Sequence, residues 1–432
     1  MAQVAPQGER RFLRKVICPM SNSPPAAILE EDALTSPEFF RNPYPLLKWL
    51  RENDPVYFCD AIGGWVVTRY DDIVVTMKET GTYSNEGRLG RAVDHLPEEC
   101  KAKLIAFQDH YRTKGLLHSD PPDHTRLRSL VQKAFSPRMV DLMRPRIQEI
   151  VDQLLDRVEP DGRMEVIQDL AFALPVTVLA DIMGVPHSDH MCFQKWADSL
   201  LAFQGVNKPH MSVLENAQAT LIEARQYLKE LIARRRKEPG VDLVSQLVAV
   251  ELEGERLSEA ELINTCVTLL VAGHETTTSL IGNGMLTLLR HPEQWQLLKA
   301  RHDLLPAAIE EVLRYESPVA SQPRVIKHDA ALGGKQLKAG QMLFQMLNSG
   351  NRDADHFDEP DVFDIRRTKN RHIAFGFGVH FCIGAPLSRA EGHIVFETIM
   401  RRLPNIRLVD REPQWDVTKR NSRVLKNLHV EF

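Results

Sequence analysis

The stretch that decides the fold of this chain is FGFGVHFCIG, residues 375–384. Gly376 and Gly378, at alternate positions, allow a tight backbone turn that leaves Cys382 at its exit. Apolar residues then recur at helical spacing, so we expect a helix that begins at Cys382, where partial positive charge favours a thiolate. A thiolate can bind a metal or attack a substrate. The alternative is a cysteine that serves only as a small buried hydrophobic residue.

Composition excludes several classes of protein. The chain has 432 residues, 43% of them hydrophobic, which is enough for a large core. Its formal net charge of −4 argues against a nucleic-acid partner, because such proteins carry a basic excess. The six cysteines lack paired spacing, which argues against disulfides and favours a cytoplasmic location. No N-terminal apolar run is long enough for a signal sequence or membrane anchor, and composition predicts a flexible tail over residues 1–25.

A long helix is predicted from Leu257 to about Arg290. Ser258 and Glu261 form a capping box at its start, and a His-Pro pair ends it. Its midsection is apolar nearly all round, which indicates burial, yet it contains a glutamate and several threonines. Buried polar groups need partners. The alternative to a functional role is that the threonines bond back to the preceding turn and the glutamate pairs with a nearby cation.

Two small sheets are expected in this otherwise helical chain. A hairpin turn at residues 63–64 joins two strands near the N-terminus, and residues 83–117 read as a long loop with short helices. After Pro318, alternating residues and glycine turns predict a second sheet of short strands.

Two pairs of polar residues at helical spacing have ordinary structural explanations when each pair is considered alone. His124 and Arg128 are four residues apart on a predicted helix that Asp123 would cap, and they would form a solvated basic face. Glu311 and Arg314, three apart, would form a surface ion pair of little consequence.

Together these segments resemble the cytochrome P450 heme-thiolate monooxygenases. Residues 375–384 resemble the family's cysteine loop, residues 272–276 (AGHET) its AGxET motif, Glu311–Arg314 its ExxR motif, and residues 124–128 its HxxxR pattern. The resemblance covers nearly all of residues 25–432. It implies one domain over residues 26–432, mostly α with small β sheets, with heme b between the long central helix and the cysteine-loop helix.

The resemblance also implies roles for individual residues. Cys382 would be the iron ligand, and Ala272 would leave room for dioxygen. Thr276 would hold bound oxygen or water while Glu275 relays protons from solvent. The heme propionates would be held by His124, Arg128, Arg324 and His380. In the family an arginine often completes the ExxR cluster, but Val362 stands at that position here, and Arg352, Arg366 and Arg367 are the candidates to replace it.

The implied reaction inserts one oxygen atom from O2 into a lipophilic small molecule, with hydroxylation as the expected outcome. Since no flavin or iron–sulfur motif is visible, electrons would come from a separate ferredoxin or flavodoxin-like donor with its reductase. The missing N-terminal anchor fits the soluble bacterial type. A peroxide-driven peroxygenase, a non-catalytic heme sensor and a zinc site of His372, His380 and Cys382 are the alternatives, the last without a convincing fourth ligand.

Overall fold

The computed structural model describes residues 33–204, 206, 208–250, 254–409 and 412–432. The tail expected over residues 1–25 lies outside them. Within the described ranges the α-helices are α1 (Pro37–Arg41), α2 (Tyr44–Asn53), α3 (Tyr70–Lys78), α4 (Glu98–Lys101), α5 (Ile105–Arg112), α6 (Asp123–Ala134), α7 (Pro137–Val158), α8 (Ala173–Met183), α9 (His190–Leu201), α10 (Met211–Lys237), α11 (Leu243–Ala249), α12 (Glu259–Arg290), α13 (Pro292–Ala300), α14 (Leu305–Tyr315), α15 (Leu347–Gly350) and α16 (Ala385–Arg402). None of them is long and apolar enough to cross a lipid bilayer.

The strands in the same ranges are short. They are β1 (Val56–Cys59), β2 (Gly64–Val67), β3 (Tyr83–Ser84), β4 (Arg163–Glu165), β5 (Ser321–Ile326), β6 (Ala330–Leu332), β7 (Lys335–Leu337), β8 (Met342–Met346), β9 (Arg407–Leu408), β10 (Gln414–Trp415), β11 (Leu425–Asn427) and β12 (His429–Glu431). The predicted class, mostly α with small β sheets, is confirmed.

The largest sheet corrects one prediction. Strands β5 and β8 do not form a second sheet with their neighbours; they join the N-terminal hairpin in a five-stranded sheet of order β1-β2-β8-β5-β3. The junction is a parallel pair, in which Gly64 lies opposite Met342 and Val67 opposite Gln345. A Cβ on Gly64 would lie 2.7 Å from the Met342 carbonyl oxygen, so this close pairing needs a glycine.

Helix α12 is the axis of the helical part. Its start is the predicted capping box, in which Ser258 and Glu261 each bond the other's backbone N–H. Its 32 residues extend about 48 Å and pack against α8, α9, α10, α14 and α16. Gly284 lets α16 approach, because a Cβ there would lie 2.5 Å from the ring of Phe396.

The cysteine loop departs from its prediction in one respect. Gly376 and Gly378 have the positive φ angles, 73° and 71°, that make the turn. Helix α16 nevertheless begins at Ala385, three residues after Cys382. The reason is that residues 378–380 form a separate 3-10 turn and Gly384 is the N-cap, with a proline in the first turn of the helix.

The predicted N-cap of helix α6 is also wrong by one residue. The helix begins at Asp123 itself, and Pro122 is its N-cap.

Candidate active site

Cys382 lies at the exit of the loop, with its N–H donating to the Phe375 carbonyl oxygen at 2.9 Å. Burial raises the pKa of the Cys382 thiol, while hydrogen bonds from the backbone of Gly384 and Ala385 and the charge of Arg128 lower it. The helix terminus alone therefore does not outweigh burial, contrary to the sequence expectation. A thiolate at this position needs a further positive partner, such as a metal ion.

Four nitrogen-bearing side chains gather beside this loop, and they are the four expected to hold propionates. The rings of His124 and His380 lie 3.9 Å apart between centroids. Arg128 lies near enough for its charge and that of the Cys382 sulfur to affect each other. Arg324 is buried on strand β5, not solvated as a strand residue would be by default.

One nitrogen atom in each of three of these side chains lacks a hydrogen bond within the described part of the chain, although Arg324 Nη1 donates to the Pro323 carbonyl oxygen at 2.9 Å. His124 Nδ1, Arg324 Nε and His380 Nε2 are buried without a hydrogen bond there. Burial, together with His380 and Arg128, lowers the pKa of His124 to about 4, and burial with nearby Arg88 lowers the pKa of Arg324 to about 9. Buried donors without partners are costly, so the cluster is suited to receive anionic groups such as carboxylates.

Asp120 is a carboxylate already present beside the cluster. It accepts hydrogen bonds from the Ser84 hydroxyl and the Asn85 N–H, and Lys327 lies 3.5 Å away. Burial raises the pKa of Asp120, but the His380 ring, whose Nε2 lies 3.7 Å away, and the Ser84 hydroxyl more than offset this and leave the pKa at about 2. Asp120 is thus ionised and paired with Lys327.

Helix α12 faces this region with its AGHET segment. Ala272 is exposed although Val271 and His274 beside it are buried, so its methyl group is not packed against the described part of the chain. The hydroxyl of Thr276 donates to the Ala272 carbonyl oxygen at 2.9 Å. This is the back-bonding that the sequence offered as the ordinary explanation, and it holds Thr276 beside Ala272.

Glu275 points to a partner from a distant part of the chain. Lys419 Nζ donates to Glu275 Oε2 at 2.6 Å. Asp198 on α9 shares this environment, because burial raises its pKa, the Lys419 charge lowers it and the Glu275 charge raises it. His274 is buried against Phe172, with both ring nitrogens unpartnered in the described residues.

The sequence profile of the Cytochrome P450 family matches residues 94–427. The chain belongs to the cytochrome P450 family. It is 37% identical over 380 residues to the polyketide biosynthesis cytochrome P450 PksS of Bacillus subtilis, covering 86% of this chain and 91% of that protein. It is 40% identical over 393 residues to the cytochrome P450 monooxygenase PikC of Streptomyces venezuelae, covering 89% of each.

The structure is similar to that of P450BioI in complex with an acyl carrier protein bearing hexadec-9Z-enoic acid. The TM-score is 0.84 at 36% identity, and the match covers 91% of this chain and 99% of that one. As a member of the family, this cytochrome P450 is a monooxygenase with heme b as its cofactor. The buried unpartnered nitrogens and the Cys382 sulfur fit that group, since heme carries two propionates and an iron that binds thiolate.

The zinc alternative finds no support in the described residues, where no group of three or more His, Cys, Asp or Glu side chains could hold a metal ion. His372 lies 3.2 Å from Glu310 in an ion pair.

The ExxR pair of this cytochrome P450 is buried, not a surface pair. Arg314 donates to both carboxylate oxygens of Glu311 at 2.8 Å. Arg367 takes the place left by Val362: its Nε lies 3.2 and 3.1 Å from the same two oxygens. Arg366 instead bonds Asp364 at the surface.

Sequence reasoning missed Lys419 and gave Arg88 no individual role. Lys419 lies 144 positions from Glu275, and no local pattern connects them. Arg88 lies close enough for its charge to lower the pKa of both Arg324 and His380. Its position in an irregular loop carries no periodic signal.

Proposed function

We propose that this cytochrome P450 hydroxylates a lipophilic small molecule with Cys382 as iron ligand, with Glu275 and Thr276 serving proton delivery. The observation that carries the assignment is the set of buried nitrogens without partners beside the Cys382 loop, in the described residues. They support propionate anchoring by His124, Arg128, Arg324 and His380, a charge-assisted role that fits their burial. Ala272 would leave space for dioxygen.

The bound heme supplies the oxygen-activating chemistry, which a thiolate ligand favours. The chain contributes the surroundings of that ligand. Backbone N–H groups of Gly384 and Ala385 bond to the Cys382 sulfur, and such bonds tune a metal centre by withdrawing charge from its ligand. The charge of Arg128 acts in the same direction.

Proton delivery requires Glu275 to exchange partners. Lys419 Nζ holds its carboxylate at 2.6 Å, so the acid must leave this contact before it can reach Thr276. Asp198, which is exposed to solvent, lies within electrostatic reach of both groups. A proton passing from this side to Glu275 would weaken the ion pair and free the acid to turn toward Thr276, whose hydroxyl already lies beside Ala272.

The electron donor we propose is a small acidic ferredoxin or flavodoxin-like protein that docks on the cysteine-loop side. Phe377, Val379 and Phe381 are large exposed apolar residues around Cys382, and Lys369 and Arg371 are exposed nearby. Changing the two cations to glutamine should weaken the salt dependence of electron transfer; an unchanged salt dependence contradicts this docking face. A matched control is Lys299→Gln, since Lys299 instead bonds Pro404.

The relatives support a lipophilic substrate in general terms only. One is a polyketide biosynthesis enzyme, another a vitamin D(3) 25-hydroxylase, and P450BioI holds a fatty acid on a carrier protein.

We also propose that residues 26–432 form a single domain. The 93% of this chain matched in cytochrome P450 CYP107DY1 of Priestia megaterium supports that extent.

The deciding experiment is the carbon monoxide difference spectrum of the dithionite-reduced protein, for wild type and Cys382→Ala. A strongly red-shifted Soret band that the variant loses supports the ligand assignment. A band typical of histidine ligation in the wild type refutes it.

Turnover with O2 and electrons, compared with turnover on hydrogen peroxide, then separates the alternatives. Efficient peroxide-driven turnover without electron transfer would favour a peroxygenase, and heme binding with neither activity would favour a sensor.

A further inference from the structure

A pocket of about 180 Å³ opens between α1, the five-stranded sheet and the residues that follow α9. Its walls are mainly apolar, with the rings of Phe40 and Phe344 among them. The described residues that line it include three arginines, Arg88, Arg91 and Arg420, and no aspartate or glutamate. An apolar pocket with cations and no anions complements a ligand that has an apolar body and a negative end.

Arg88 is the least compensated of the three. Its Nε is buried without a hydrogen-bond partner in the described part of the chain. Burial lowers the pKa of Arg88 to about 10, so the side chain stays charged at neutral pH, and the group that acts against this shift is Tyr111. By contrast, buried Arg314 is paired with the carboxylate of Glu311.

The heme propionates do not account for this charge. Two propionates carry two negative charges, which Arg128 and Arg324 match, while the neutral histidines need no charge to donate an N–H. Asp120 is already 3.5 Å from Lys327. Arg88 lowers the pKa of Arg324 and also lines the pocket, so it lies where the pocket meets the cofactor site. Its positive charge is not needed to balance the two propionates.

Arg420 adds a second cation to the same wall. Its guanidinium lies 5.9 Å from the ring centroid of Phe40, which also lines the pocket. Arg91 is partly engaged, since its Nη1 donates to the Gly340 carbonyl oxygen at 2.7 Å. Arg88 and Arg420 are therefore the two arginines whose guanidinium N–H groups are available to a ligand.

We propose that this pocket binds the carboxylate of a lipophilic carboxylic acid, with Arg88 as its direct partner and Arg420 as a second cation. The inference rests on the proposed monooxygenase function and narrows its substrate class. With the carboxylate held among the arginines, the apolar part of the molecule is the part presented for oxidation.

The test is optical titration of the heme-loaded enzyme, following the substrate-induced spin-state change, with octanoic, dodecanoic and hexadecanoic acids and their methyl esters. The wild type should bind at least one acid about tenfold or more tightly than its ester, as a buried charge-assisted hydrogen bond implies. Arg88→Gln and Arg420→Gln should each reduce that preference, Arg88→Gln the more. The control Arg112→Gln, at an exposed site outside the pocket, should keep it.

Three outcomes overturn the inference. Equal binding of acid and ester by the wild type does so whatever the variants show, as does failure of all the acids to bind. Tighter binding of dodecanoyl pantetheine phosphate, with no preference for free acid over ester, assigns the arginines to a phosphate. The carbon monoxide spectrum of the same samples distinguishes failure of the carboxylate proposal from failure of the monooxygenase proposal. A normal red-shifted band without a preference for the acid refutes only the carboxylate proposal. If Arg88→Gln loses heme, Arg420→Gln carries the comparison.

Discussion

Arg367→Gln should destabilise the fold measurably, because Arg367 completes the buried cluster at Glu311. The Glu311 side chain is 0% exposed and that of Arg367 is 10% exposed. The change removes the ion pair at 3.1 Å and bonds to three backbone carbonyl oxygens, of Asp358, Glu359 and Val362. Glu311 keeps its two bonds from Arg314, so it is not left unpaired.

The expected loss is about 2 to 3 kcal/mol, the range for hydrogen bonds to a charged buried group. Removing Arg314 itself should cost more, about 3 to 5 kcal/mol, because a buried charge would lose its main partner. For 432 residues the entropy of unfolding is of order 0.9 kcal/mol per degree, so the Arg367 variant should melt about 2 to 3 °C lower.

The assay is thermal unfolding of the heme-loaded protein by circular dichroism, with heme release followed in the Soret band. Arg366→Gln is the matched control. Arg366 is the adjacent residue, its side chain is 63% exposed, and its bonds are to Asp364. That variant should melt at nearly the wild-type temperature, because exposed ion pairs contribute little to stability. Equal melting temperatures for the two variants would refute the assignment of Arg367 to the cluster.

Three further predictions concern the central helix and its neighbours. Lys419→Met should remove the cation that positions the Glu275 carboxylate and reduce the coupling of electron use to substrate hydroxylation, whereas Lys419→Arg should largely preserve that coupling. Glu391→Gln should stabilise the protein progressively as pH rises from about 5 to 8, because burial raises the pKa of Glu391 to about 8. Gly284→Ala should cost about 1 to 3 kcal/mol, since its Cβ would overlap an aromatic ring, whereas Gly81→Ala meets no atom within 4 Å.

The direction in which Glu391 changes stability with pH follows from the linkage between proton binding and folding. Its folded pKa lies above the unfolded value near 4.5, so any stability it gives is fully present below pH 4.5 and is lost as pH rises toward 8, by about 1.4 kcal/mol per unit. Melting curves of the two proteins from pH 5 to 8 measure this, and a constant difference contradicts the shifted pKa. For Lys419, unchanged coupling in the methionine variant would show that the ion pair has no part in proton delivery.

Local signals explain why much of the fold was predictable. Helix α12 begins and ends within two residues of its prediction. Both signals for it, the capping box of Ser258 and Glu261 and the long apolar run, lie in one continuous segment of the sequence. The turn at Gly376 and Gly378 was equally local. The mistaken start of α16 has a local cause as well, because periodicity alone does not separate the turn at residues 383–384 from the first turn of a helix.

The five-stranded sheet could not be read in the same way. Alternation predicts that residues 64–67 and 342–346 are strands, but it contains no information on which strands pair. The parallel pairing of β2 with β8 brings together segments nearly 280 positions apart. Only the packing of the whole chain selects that neighbour.

The same distinction separates the motif residues from their partners. A carboxylate in the apolar midsection of a helix is stabilised by a nearby cation, so Glu275 suggests that a partner exists. The sequence offers 54 lysines and arginines and does not rank them. The fold selects Lys419, which follows strand β10, as it selects Arg367 where Arg352 is already occupied by the Tyr315 carbonyl oxygen and Asp361. Motif residues can therefore be assigned from the sequence, whereas the residues that hold them in place must be found in the structure, and variants of those partners are the sharper test of the assignment.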